Sequence, residues 1–224
     1  MREEGLLVRI TPTPTLEPFS IRVPGDFSSA AFILAAGLLV DGSEILIKDV
    51  GINSTRTGLL DVLNQMGASI SLEEVHFEGN EPVAHLRVKN SSLRGTTIGG
   101  ELVVRMIDEF PLLAVLATQA HGVTQVTDAA ELRVKETDRI TTVVGELQKM
   151  GAKIDSLPDG FIIEGPTPLR GTTVDSHGDH RLAMSLAVAG LVARGNLLIK
   201  HAECISDSFP GFIEIMQHLG ARYG

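Results

Sequence analysis

Arg94-Gly95-Thr96-Thr97-Ile98 returns as Arg170-Gly171-Thr172-Thr173-Val174, and an apolar run follows each copy, Pro111 to Ala120 and Arg181 to Ala193. A third such run, Ser28 to Val40, lies upstream. Each is followed by a Gly-containing turn and a strand-like stretch, Glu44 to Lys48 in the first instance. Shorter amphipathic helices then end alike, at Met66-Gly67-Ala68, Met150-Gly151-Ala152 and Leu219-Gly220-Ala221. An acid precedes each apolar run, and Asp26 to Gly67, Asp108 to Gly151 and Asp179 to Gly220 are separated by 41, 43 and 41 positions. Self-similarity at a fixed period marks a chain built from repeated units. The simplest account is an α/β lobe of three βαβαββ units, about 20–92, 93–168 and 169–224.

Helices that are apolar all round must be buried on all sides, whereas strands that alternate can face water on one side. The first helices of the units are therefore expected at the centre with the sheets outside. Their N-termini would converge at one end, bringing Asp26, Asp108 and Asp179-His180-Arg181 together where free N–H groups attract anions. Within the first unit, strands are expected around Ser20 to Val23, Ser69 to Leu72 and His85 to Lys89, with a second helix from about Thr57 to Gln65. Glu4-Gly5-Leu6-Leu7-Val8, followed by Thr-Pro pairs, mirrors Asp159-Gly160-Phe161-Ile162-Ile163 followed by Pro166-Thr167-Pro168. Residues 1–19 thus read as the closing strands and linker of an earlier unit whose helices are missing. The third unit stops after its second helix, so the chain reads as a piece of a longer repeat protein.

The 224 residues carry 28 acids against 19 Lys and Arg, a formal net charge of −9, with 4% aromatics and no Trp. Phosphate-backbone binding wants a basic surface and single strands want stacking platforms, so nucleic acid is not an expected partner. An anionic small molecule would have to be met by a local cluster of cations. A single cysteine, Cys204, excludes an intramolecular disulfide and reads as a buried thiol, which favours a reducing, cytoplasmic setting. No signal-peptide pattern or run long enough to span a membrane is present, and no Cys/His spacing, Walker loop or Rossmann fingerprint appears.

Glu131-Leu132-Arg133-Val134-Lys135-Glu136-Thr137-Asp138-Arg139 puts six charges in nine positions. Such a run is ordinarily a solvated helix start. A helix opening here would place Lys135 and Arg139 four apart on one face and turn Glu136 to another side. The matching stretch of the first unit, Ser54-Thr55-Arg56, is far less charged, so the fold does not demand these groups and a wall of an anion site is favoured. Asp26, Asp108 and Asp179 sit where N-caps sit, and capping alone explains each. Asp108 is followed by Glu109, however, and Asp179 by His180 and Arg181. Two carboxylates, Asp108 and Glu136, suit a reaction that removes one proton and delivers another. Arg139 and Arg181 can each grip a carboxylate or phosphate bidentately. Arg56 lies 30 positions after Asp26, as Arg139 lies 31 after Asp108, and reads as a structural echo of the repeat.

Taken together, Arg133-Val134-Lys135-Glu136-Thr137-Asp138-Arg139, Gly178-Asp179-His180-Arg181-Leu182-Ala183-Met184, Pro24-Gly25-Asp26-Phe27-Ser28-Ser29-Ala30 and Met106-Ile107-Asp108-Glu109 closely resemble the 5-enolpyruvylshikimate-3-phosphate synthase family. The resemblance implies two lobes of three such units with ligands bound between them, this chain being the C-terminal lobe preceded by a short tail of the other. It implies transfer of the enolpyruvyl group of phosphoenolpyruvate to the 5-hydroxyl of shikimate 3-phosphate with release of phosphate. Asp108 resembles the base for that hydroxyl and Glu136 the acid that protonates the methylene carbon. Arg139 and Arg181 match the arginines that hold phosphoenolpyruvate, with Asp179 and His180 beside them, and Lys135 the lysine where the two substrates meet. No metal or organic cofactor is implied. Glu131 and Asp207 depart from residues found in some members and receive no role. The other lobe's lysine, serine and arginine motifs have no counterpart here, so about half a site and little activity alone are expected. Two alternatives stand beside this: the sister enzyme acting on UDP-N-acetylglucosamine, and a non-catalytic lobe that serves as a partner for a separate N-terminal half.

Overall fold

The computed structural model describes residues 2–4, 7–9, 11, 12, 15 and 17–224. An antiparallel hairpin of β1 (Arg2–Glu4) and β2 (Leu7–Arg9) comes first; the rest of the closing strands and linker expected over residues 1–19 lies partly outside the described residues. The first unit then runs α1 (Phe27–Leu39), β3 (Glu44–Gly51), α2 (Gly58–Gln65), β4 (Ser69–Glu78) and β5 (Glu81–Lys89). The second runs β6 (Thr97–Ile98), α3 (Glu101–Arg105), α4 (Phe110–Gln119), β7 (Gly122–Val126), α5 (Arg139–Lys149), β8 (Lys153–Leu157) and β9 (Gly160–Gly165). The third comprises β10 (Thr173–Asp175), α6 (His180–Gly190), β11 (Leu198–Lys200), a short α7 (Ile205–Ser208) and α8 (Phe212–His218).

The sheet of the second unit has the order β6-β7-β9-β8, its first pair parallel and the others antiparallel. The first unit repeats this as β3-β5-β4, and the third contains the parallel pair β10-β11. The strand expected around Ser20 to Val23 is absent. Gly25 alone bridges to Val50, donating to Asp49 O at 2.7 Å and accepting from Gly51 N at 2.9 Å. Pro24 has no N–H to continue that ladder, and Ile21 and Val23 stay exposed. The other elements lie where the periodicity puts them, with β4 and β5 longer than their most regular stretches and with the short helices α3 and α7 added.

The recurring Arg-Gly-Thr-Thr has a packing cause. Gly95 donates its N–H to His121 O, and Gly171 donates to Arg194 O, as the chain crosses the strand that follows each first helix. A Cβ on Gly95 would lie 2.2 Å from Val123 O, and one on Gly171 2.3 Å from Asn196 O. Only glycine permits so close a backbone approach.

Helices α1, α4 and α6 pack on one another at the centre. Nearly every residue of α1 and α4 is buried. Amphipathic α2 and α5 turn Leu59, Val62 and Leu63, and Ile140, Val143 and Leu147, onto the same core. Each fully buried Leu, Ile or Phe contributes roughly 1.5–3 kcal/mol, so this three-helix centre fixes where the helix mouths stand. Among the described residues no helix is long and apolar enough to cross a membrane.

Candidate active site

The N-termini of α1, α4 and α6 open toward one cluster of charge, as the buried-helix pattern requires. Asp26 caps α1 by accepting from Ser29 N at 2.7 Å. Asp179 caps α6, accepting from the N–H groups of Arg181 and Leu182 at 2.9 and 3.3 Å. Asp108 does not cap: Glu109 holds the cap position of α4, with no side-chain cap bond. Asp108 is engaged by arginines instead.

The charge run is not a helix start either. Residues Ala130–Val134 form a 3-10 turn, Lys135 is extended, and α5 begins only at Arg139, with Asp138 as its cap accepting from Thr141 N at 3.1 Å. Lys135 and Arg139 therefore share no helix face. Burial tends to raise the Asp138 carboxyl, but the N–H and hydroxyl of Thr141 and the Arg133 guanidinium outweigh it and hold the group below its ordinary range. An ionised cap on a helix N-terminus is what stops the helix from extending back through Lys135.

Arg139 is the hub. Only 1% of its side chain is exposed, and its Nε donates to Asp179 Oδ2 at 2.8 Å and its Nη2 to Glu136 Oε2 at 2.6 Å. Its Nη1 is buried without a hydrogen-bond partner and lies 3.7 Å from Asp108 Oδ1. Arg181 Nη2 stands 3.2 Å from Asp108 Oδ2, and its Nη1 3.9 Å from Glu109 Oε1. Asp179 is fully buried; burial pushes its carboxyl up, but the bond and charge of Arg139 and the two cap N–H groups win, so it sits well below the ordinary range. Glu109 goes the other way. Its desolvation is stronger than the bond from Ser28 and the attraction of Arg181, and its carboxyl is raised.

Asp108, Glu136, Arg139, Asp179 and Arg181 are thus brought into direct contact. Lys135 is half-buried at the rim and pairs with Glu131 at 3.8 Å. His180 follows the cap of α6, half-buried, with no hydrogen bond or ion pair to another described residue. Two neighbours were not singled out in the sequence: Ser28 donates to Glu109 Oε1 at 2.5 Å and Thr137 to Asp179 Oδ2 at 3.3 Å. Arg56, expected as a structural echo of the repeat, joins them by donating to Ser28 Oγ at 3.2 Å. Cys204 is buried and its thiol pushed up by that burial. Among the described residues no group of three His, Cys, Asp or Glu is arranged to hold a metal ion. A cavity of about 360 Å³ lies at the opposite ends of α1 and α6, against Ala36, Val40, Leu191 and Leu219.

A lobe of three such units, with first helices inside and sheets outside, defines an enolpyruvyl transferase fold: a solved enolpyruvyl transferase, NikO from Streptomyces tendae, superposes with a TM-score of 0.71 over 87% of this chain at 20% identity. The family model for EPSP synthase (3-phosphoshikimate 1-carboxyvinyltransferase) matches residues 2–216, and the chain belongs to that family. Its relatives include the 3-phosphoshikimate 1-carboxyvinyltransferases of Desulforamulus reducens, 50% identical over 95% of this chain and 49% of the relative, and of Geobacillus kaustophilus, 50% identical over 96% and 51%. EPSP synthase from Acinetobacter baumannii superposes with a TM-score of 0.87 at 41% identity, over 89% of this chain and 47% of that one. The chain spans about half the length of the curated relatives it matches.

Proposed function

We propose that this chain is the C-terminal lobe of an EPSP synthase and carries about half of a site that transfers enolpyruvate from phosphoenolpyruvate to the 5-hydroxyl of shikimate 3-phosphate. Residues 1–19 would belong to the closing strands and linker of the N-terminal lobe, the partner that supplies the opposite wall. The observation that carries the reading is Arg139 Nη1, a buried donor without a hydrogen-bond partner, aimed at Asp108 beside Arg181. A buried guanidinium N–H left unmade is costly, and a carboxylate or phosphate oxygen satisfies it.

In this reading Arg139 and Arg181 hold phosphoenolpyruvate, with Asp179 fixing Arg139 and His180 at the same helix mouth, and Lys135 lies where the two substrates meet. Asp108 takes the proton of the acceptor hydroxyl as its oxygen bonds to the enol carbon, and Glu136 delivers a proton to the methylene carbon. Because the product regains its methylene, that carbon must give a proton back as phosphate leaves. The geometry links binding to this chemistry. Arg139 Nη2 lies 2.6 Å from Glu136 Oε2, so the guanidinium that grips the substrate anion also holds the carboxylate that serves as the acid.

The test is complementation. This chain mixed with a separate N-terminal half should release phosphate from the two substrates, with turnover lost on Asp108→Ala or Glu136→Ala, while the chain alone releases little. Tight binding of the half without turnover would favour the non-catalytic partner, and turnover with UDP-N-acetylglucosamine instead would favour the sister enzyme.

A further inference from the structure

Arg56 stands in the first unit where Arg139 stands in the second, at the entry to the second helix. Each arginine reaches out of its own unit to the acid at the mouth of the next unit's first helix, Arg139 to Asp179 and Arg56 to Asp108. The two clamps differ. The Arg139–Asp179 pair is closed at 2.8 Å with both side chains buried, whereas Arg56 Nη2 is 3.9 Å from Asp108 Oδ2 and 56% of the Arg56 side chain is exposed. A pair as tight as the first would tie up the lone pairs of a general base. The looser one leaves them available while keeping a positive charge alongside.

Arg56 is nevertheless not adrift. Its Nη2 donates to Ser28 Oγ at 3.2 Å, and Ser28 donates to Glu109 Oε1 at 2.5 Å. The same oxygen faces Arg181 Nη1 at 3.9 Å, and Arg181 Nη2 faces Asp108 Oδ2 at 3.2 Å. A ring therefore closes through Asp108, Arg181, Glu109, Ser28 and Arg56. The groups around Asp108 come from every neighbouring element: Arg56 ahead of α2, Arg139 on α5, Arg181 on α6 and Glu109 beside it, with Glu136 acting through Arg139.

We propose that Arg56, anchored by Ser28 and Glu109, is a positioning residue for Asp108, the cation that stays with its carboxylate when Arg139 and Arg181 turn to a substrate anion. The proposal rests on the reading of Asp108 as the base. Removing that cation should cost turnover and leave substrate binding intact.

The measurement is kcat and KM for this chain complemented by an N-terminal half. Arg56→Gln is expected to lower kcat roughly three- to tenfold, a small part of the roughly 10²–10⁴-fold that a positioned acid or base contributes, with KM for phosphoenolpyruvate unchanged. Arg56→Lys should recover most of the rate. Ser28→Ala, which loosens Arg56 without removing its charge, should lower kcat in the same direction by less, and decides the matter should Arg56→Gln fail to fold. An unchanged kcat, or a loss carried by KM for either substrate, overturns the proposal. Wild-type turnover that disappears in Asp108→Ala is the control. Without it the assignment of Asp108 fails, whereas with it an unaltered kcat in Arg56→Gln counts against Arg56 alone.

Discussion

A guanidinium with 1% exposure survives inside a lobe only because its charge is matched, and Asp179 does most of the matching for Arg139. The pair sits at the cap of α6, so one carboxylate serves both the helix N-terminus and the arginine. Breaking a buried pair from one side leaves the other charge uncompensated, at about 3–5 kcal/mol. Asp179→Asn, which retains an acceptor for the cap, is expected near the lower figure, about 3 kcal/mol, in urea unfolding at neutral pH. The pH dependence has a definite sign. Because the folded-state carboxyl is depressed, its stabilisation is complete above the unfolded value and is lost as pH falls through the folded one. The gap between wild type and variant should therefore narrow below about pH 4; a constant gap would mean that Asp179 acts through shape alone. That Asp108 and Arg181 would gather was legible because titratable groups at the mouths of otherwise apolar helices have no packing reason to be there, as Glu109 also showed, and Glu136 and Arg139 stood out in a charge run that the first unit lacks. Ser28 did not stand out. A hydroxyl in an apolar helix reads as unremarkable, and its partner lies 81 positions away, a pairing only the tertiary fold creates.

Elements were recovered wherever one local rule operated alone. The apolar all-round pattern located α1, α4 and α6 because burial on every side leaves no polar stripe to confuse with a strand. It failed at Ser20 to Val23, where strand-like alternation meets Pro24 and the ladder shrinks to one bridge. It failed again at Lys135 to Arg139, where the Asp138 cap decides that α5 starts late, since side-chain capping competes directly with helix extension. The Arg-Gly-Thr-Thr recurrence pointed to a repeat without explaining itself; the explanation is the backbone crossing at Gly95 and Gly171. Gly95→Ala would set a methyl 2.2 Å from Val123 O, a backbone atom that cannot rotate aside. A loss of about 1–3 kcal/mol is expected, as for overpacking, with amide exchange speeding up in β6 and β7 first. Gly145→Ala is the matched control, since nothing lies within 4 Å of a Cβ there. Equal behaviour of the two variants would remove the crossing as the cause of the motif.

The sequence shows three units, yet the molecule does not behave as three objects. In an open solenoid each repeat touches only its neighbours and stability is a sum of local terms. Here α1, from the first unit, meets both α4 and α6, and one continuous set of buried side chains runs from Phe27 to Met216. Closure of the three helices on one another was legible from their being apolar all round and not from the repeat itself, because identical units can stack in a line or close in a ring with the same period. It has a thermodynamic consequence for a chain that spans about half the length of its relatives. A shared core is expected to make the lobe one cooperative unit that folds by itself. Leu113, fully buried on α4, tests this: Leu113→Ala should cost about 2–5 kcal/mol and move a single urea transition to lower concentration without splitting it. Exchange protection should fall together in α1, α4 and α6. If α6 and the strands beside it opened at lower urea than α1, the three units would be independent, and a complementing half would have to supply stability as well as chemistry.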